Sequence, residues 1–187
     1  MAHPLCATNN KSMSDSYITI VPNLIDNSQS ETIAQSVIDY LQGKQIIQSI
    51  RTDCTLGGDG FAPGKNYRSV LVDKQYDIQN FSISGLEIIT TRTVFHNGEN
   101  GLDSITCPNC RSNVIDANWA EAVDEWFNNT GKKQFTCIYS RSVESITNYK
   151  FFPTWGFGVL GFKFWNWPSF KKQFISSIEL IVNKEVK

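Results

Sequence analysis

Between Tyr149 and Phe174 the chain places 11 of its 23 aromatic residues within 26 positions. Ring surface at that density must be buried together or used as a recognition face, and either use dictates the local fold. From Phe157 to Trp165 the residues alternate with period two, Leu160, Phe162 and Phe164 sharing one side, which predicts a strand. Gly156, Gly158 and Gly161 allow other segments to approach it closely. Pro168 then opens a predicted helix over 169–182, whose buried face is Phe170, Phe174, Ile178 and Ile181. Two readings follow: rings filling a core beneath a sheet, or Trp155, Trp165 and Trp167 exposed as anchors of a partner-binding aromatic face. Lys163 is the only base within Phe157–Trp167, too few for a single-stranded nucleic-acid platform.

The remaining elements are predicted to surround that strand. Tyr17 to Val21 reads as a strand stopped by Pro22. Ser28-Gln-Ser-Glu31 is a capping box, and Ile33, Val37 and Leu41 follow at helical spacing up to a terminating Gly43. The glycine-dense stretch 53–64 reads as a loop, Val70 to Val72 as a short strand and Leu86 to Phe95 as the clearest strand in the chain. Asp116 is a usable cap for a helix carrying Trp119, Val123, Trp126 and Phe127, and Phe135 to Tyr139 resumes extended structure. No internal repeat is expected.

This order predicts an α+β protein: a mostly antiparallel sheet with helices packed on one face, in ferredoxin-like form, carrying a zinc-ribbon-like insert at about 103–146. The expected organisation is a disordered arm over 1–15, with Met13 as an alternative start, and one domain over 16–187, a length that buries a core without disulfides.

Charge limits the partners. The net value is -1 overall, but residues 96 to 131 are acidic and the stretch from Lys132 onward is basic. No global field favours nucleic acid or an anionic membrane, so dedicated binding to either is not expected. Met1 to Ser12 lacks the basic and apolar regions of a signal peptide, no 18-residue apolar run exists, and a cytoplasmic protein is expected.

Five cysteines, Cys6, Cys54, Cys107, Cys110 and Cys137, are odd in number and irregular in spacing, as in a reduced compartment. Cys107-Pro-Asn-Cys110 has the spacing of half a tetrahedral zinc site. The other half begins at Cys137, but Ser140 stands where a fourth thiolate is needed, and neither His96 nor Cys54 has a spacing that supplies it. A serine hydroxyl stays protonated near neutral pH, so the expectation is an incomplete site with little or no zinc and no other cofactor. A redox role for the pair lacks the helix N-terminus that lowers the thiol pKa in such enzymes.

Several segments together resemble an uncharacterised bacterial family whose members are often labelled "sugar ABC transporter ATPase". They are Tyr-Ile-Thr-Ile-Val-Pro at 17–22, the stretch 53–64, Arg-Thr-Val-Phe-His-Asn-Gly at 92–98, Cys-Pro-Asn-Cys at 107–110 and Trp-Gly-Phe-Gly-Val-Leu-Gly-Phe-Lys-Phe-Trp-Asn-Trp-Pro at 155–168. The resemblance implies a second Cys-Pro-x-Cys knuckle, from which this sequence departs at Ser140, and no established activity. The label itself finds no motif. Gly60-Phe-Ala-Pro-Gly64-Lys65-Asn66 is one residue short of a P-loop, loses an amide at Pro63 and lacks the hydroxyl that binds Mg²⁺. The function expected is therefore a non-enzymatic binding protein with a protein partner, in the manner of an immunity protein that masks a toxin. The alternative is an enzyme or binder of a sugar-like ligand using the Gly57–Gly64 loop, with Gly58, Asp59, Glu87 and His96.

Overall fold

The computed structural model describes residues 15–22, 28–96 and 101–185. Its first elements are β1 (Tyr17–Ile20), α1 (Ser30–Gly43), β2 (Ile47–Thr55), β3 (Gly58–Pro63) and β4 (Leu86–Ile89). Then come β5 (Thr93–Phe95), β6 (Ser104–Thr106), α2 (Ala120–Phe127), β7 (Gln134–Thr136), β8 (Val143–Ser145) and β9 (Lys150–Phe152). The chain closes with β10 (Gly156–Gly158), β11 (Gly161–Trp165) and α3 (Lys172–Glu185).

Five strands form one sheet in the order β1-β11-β4-β3-β2, every neighbour antiparallel. The α+β expectation holds. A ferredoxin-like pattern needs two strand-helix-strand crossovers, whereas this sheet has one, β1-α1-β2, because α3 follows the last strand instead of joining two. Phe162 and Phe164 of β11 are fully buried among Ile33, Val37 and Leu41 of α1 and Phe174 and Ile178 of α3. Phe164 lies 5.2 Å from Trp167, 4.8 Å from Phe170 and 6.2 Å from Phe174, ring centre to ring centre. Most of the aromatic segment is thus core, the first of the two readings.

Several predicted elements move. The expected loop at 53–64 is the β2-β3 hairpin: Gly60 carries no side chain because a Cβ there would meet Thr55 and the Leu86 carbonyl, so glycine here serves close strand packing rather than a loop. Val70 ends a 3-10 turn over Tyr67–Val70, and Leu71 makes a single bridge to Phe170 instead of a strand. α1 begins at Ser30 with Gln29 at the cap position, one residue after the expected cap Ser28, and α2 begins at Ala120 after Trp119 rather than near Asp116. At the N-terminal boundary Asp15 and Ser16 are tied to Asn166, so the expected arm does not reach residue 15; residues 1–14, including Met13, lie outside the described residues.

The two longest predicted strands are each divided. Leu86 to Phe95 becomes β4 in the large sheet and β5, which pairs with β10. Phe157 to Trp165 becomes β10 and β11, split at Val159 and Leu160, which are both buried and so break the alternation. A second core lies beyond these breaks, built on Ile105, Val114, Trp126, Phe135, Ile146 and Phe151. Its partners extend from Val94 to Phe157, wider than the insert expected at 103–146. Among the described residues no helix is long and apolar enough to cross a membrane.

Candidate metal centre and interlobe cleft

Strand β6 delivers Cys107 into a tight turn in which the Arg111 amide donates to the Cys107 carbonyl and the Cys107 amide to the Ser112 carbonyl, both at 3.0 Å. Strand β7 delivers Cys137 into the same turn: the Arg141 amide donates to the Cys137 carbonyl at 3.0 Å and the Cys137 amide to the Ser142 carbonyl at 2.9 Å. Arg111 and Arg141 share a left-handed backbone, with φ of 62° and 60°. The chain therefore contains a repeat that was not expected, Thr-Cys-x-x-Cys-Arg-Ser at 106–112 and Thr-Cys-x-x-Ser-Arg-Ser at 136–142. Its signal is short but readable: four of seven positions are identical at a separation of 30 residues.

The two turns face each other. Cys107, Cys110 and Cys137 bring their sulfurs within 4.8 Å of one another. Cys110 Sγ is 3.6 Å from Cys137 Sγ, and Ser140 Oγ is 3.8 Å from Cys107 Sγ, so the serine points at the sulfurs. Tetrahedral zinc with bonds of about 2.3 Å separates its sulfurs by about 3.8 Å, close to the 3.6 Å between Cys110 and Cys137 and inside the 4.8 Å limit on the set. The fourth corner is an oxygen that stands 2.8 Å from Ser142 Oγ, itself 3.9 Å from Cys107 Sγ. His96 and Cys54 do not join the cluster; Cys54 is packed beneath Gly85 in the large sheet.

The surroundings lower two of the three thiols, Cys110 and Cys107. The Ser112 hydroxyl and amide lower exposed Cys110 to about 6. Burial pushes Cys107 up, but the Cys110 and Asn109 amides outweigh it and leave the thiol below its usual value. Tyr149, whose hydroxyl donates to the Phe135 carbonyl at 3.1 Å, is raised to about 12, chiefly by burial.

A cleft of about 420 Å³ opens where the bare face of the large sheet meets the second core, lined by Tyr17, Thr19, Phe95, His96, Thr154 and Trp155 among others. The Tyr17 hydroxyl donates to the His96 carbonyl at 2.6 Å, and the His96 and Trp155 rings are 5.4 Å apart. Thr19 Oγ1 and Trp155 Nε1 are buried with no hydrogen-bond partner among the described residues. Of the three tryptophans expected to form one aromatic face, only Trp155 lines this cleft. Trp165 and Trp167 are 7% and 3% exposed, with their indole nitrogens donating to Glu87 and to the Ser84 carbonyl, so that face does not form.

The expected ligand loop is also divided. Gly58, with φ of 111°, and Asp59 sit on the β2-β3 hairpin, and Glu87 lies under its tip, where a Cβ on Gly57 would strike the carboxylate. Glu87 accepts from Trp165 Nε1 at 2.8 Å and pairs with Lys163 at 3.6 Å. His96 lines the cleft, and Gly58, Asp59 and Glu87 are not among the residues around it. Comparison with protein-family models, with curated proteins and with solved structures finds no match.

Proposed function

We propose that the chain is a cytosolic, non-enzymatic binding protein that engages its partner at the cleft between the two cores. The observation that carries this reading is that the cleft draws its walls from β1 of the large sheet and from the Phe95–His96 and Thr154–Gly156 segments, and holds two buried polar atoms, Thr19 Oγ1 and Trp155 Nε1, that have no hydrogen-bond partner among the described residues. An unsatisfied buried donor costs about 1–3 kcal/mol, a penalty relieved when an entering partner parts the cleft walls and supplies an acceptor. The group best placed for acid-base work, Glu87, is instead held by an indole and an ammonium. Masking a toxin is one form of this function that needs no catalytic group.

Site-specific photo-crosslinking tests it. A benzoylphenylalanine replacing His96 should give one adduct of defined mass in native cytosol, and the same probe at Ile50, which is 72% exposed on the far edge strand, should give none. Equal labelling at both positions, or none at His96, removes the reading. An adduct at His96 that Trp155→Ala abolishes assigns the capture to the cleft.

A further inference from the structure

We infer that the paired turns form a three-thiolate site for a monovalent soft cation, copper(I), rather than the four-ligand zinc site that the Cys-x-x-Cys spacing implies. This goes beyond the cleft reading and stands independently of it.

The argument begins with what the fourth corner does. Zinc is divalent and takes four donors in structural sites, most often anionic sulfur or imidazole. Here the fourth position holds a neutral hydroxyl already engaged with a second hydroxyl, Ser140 Oγ to Ser142 Oγ at 2.8 Å. Both oxygens lie 3.8–3.9 Å from Cys107 Sγ, the placement of hydroxyls that hydrogen-bond to a thiolate, not of a ligand that replaces one. The corner that would complete zinc is instead taken by two hydroxyls bonded to each other beside the Cys107 sulfur.

Copper(I) has no such requirement. It is soft, thiolates select it, and two or three of them satisfy it. A trigonal ion with bonds of about 2.2–2.3 Å places its sulfurs about 3.9 Å apart. The Cys110 to Cys137 separation of 3.6 Å and the 4.8 Å limit on the whole set span that value, so closing on the ion needs shifts of about an ångström or less. Cys107 and Cys137 are fully buried and keep water from the ion, while Cys110 is exposed and gives it an entry path. No step of this assignment requires oxidation or group transfer, only displacement of thiol protons by the metal.

The test separates copper from zinc through Ser140 and uses the full-length, reduced protein under anaerobic conditions. Copper(I) is titrated in competition with a chromogenic copper(I) chelator, zinc in competition with a zinc indicator, and the copper-loaded protein is examined by X-ray absorption. One copper per chain with three sulfur neighbours and no oxygen is expected. Ser140→Cys should raise zinc affinity by at least a hundredfold and change copper(I) affinity by less than threefold. Ser140→Ala, which keeps the turn and removes the oxygen, should leave copper stoichiometry at one, and Cys110→Ser should lower copper affinity by more than a hundredfold. Stoichiometric zinc with a bound oxygen in the wild type, zinc binding lost in Ser140→Ala, or a copper site that gains a fourth sulfur and tenfold affinity in Ser140→Cys would each overturn the assignment.

Discussion

The two cores are held by different means. Around the large sheet, two helices of fourteen residues cover one face, and Phe162, Phe164, Leu86 and Leu160 are fully buried beneath them. The second core has one eight-residue helix and three two-stranded sheets, and its strands are three residues long. Isolated pairs of that length are marginal in water. The difference is one of scale: two long helices bury the large sheet, whereas the smaller core adds side-chain ties between its two turns to a buried cluster of its own. One such tie is Asn109 to Glu144 at 2.9 Å, and Cys110 against Cys137 is another.

Truncating a fully buried side chain in each core draws the contrast most strongly. Phe162→Ala should cost about 3–5 kcal/mol and lower the midpoint of the whole molecule in chemical denaturation. Ile105→Ala, equally buried but in the smaller core, should cost about 2–4 kcal/mol. Amide exchange would locate that loss in 101–158 and leave α1 protected; if α1 exchanged equally fast, the two cores would be one cooperative unit and the comparison would fail.

A smaller effect is expected at the seam. Gly161 lies directly under the Phe95 ring, and a Cβ there would collide with it. Gly161→Ala should therefore cost about 1–3 kcal/mol by overpacking, and truncating the ring in the Phe95→Leu background should recover part of it. Additive losses in that double-mutant cycle would break the seam argument.

The smallest effect concerns pH. Glu144 is lowered by hydrogen bonds from Asn109 and then Asn148, so it contributes stability above its unfolded value near 4.5 and loses it as pH falls through the lower folded value. Glu144→Gln should remove that contribution, slightly lowering the stability of the smaller core at neutral pH, flattening the acid limb of its denaturation profile and converging with the wild type in acid. That core is the place to look, because exposed pairs are worth little elsewhere.

Periodicity made the helices legible: α1 and α3 appear where Ile33, Val37 and Leu41, and Phe174 and Ile178, recur at helical spacing. What it hid was where strands stop. Leu86 to Phe95 and Phe157 to Trp165 are continuous runs of strand-forming residues, yet each serves two sheets, and only the paired burial of Val159 and Leu160 marks the switch. Of the candidate metal site, the three cysteines were evident from spacing. The direction of Ser140 was not, because it depends on Arg141 adopting a left-handed backbone without glycine. The cleft was not legible at all: Thr19, His96 and Trp155 are far apart in the chain and share no motif.

The division of those two strands has a consequence for engineering. Ile89, the last residue of β4, is the direct antiparallel partner of Gly161, the first of β11, so everything between them leaves and re-enters the sheet at one point. Topologically it is a cassette spliced into a hairpin. A two-residue Asn-Gly turn could close that hairpin in place of the 71 residues from 90 to 160 without changing the strand order, yielding a minimal scaffold onto which other inserts can be grafted.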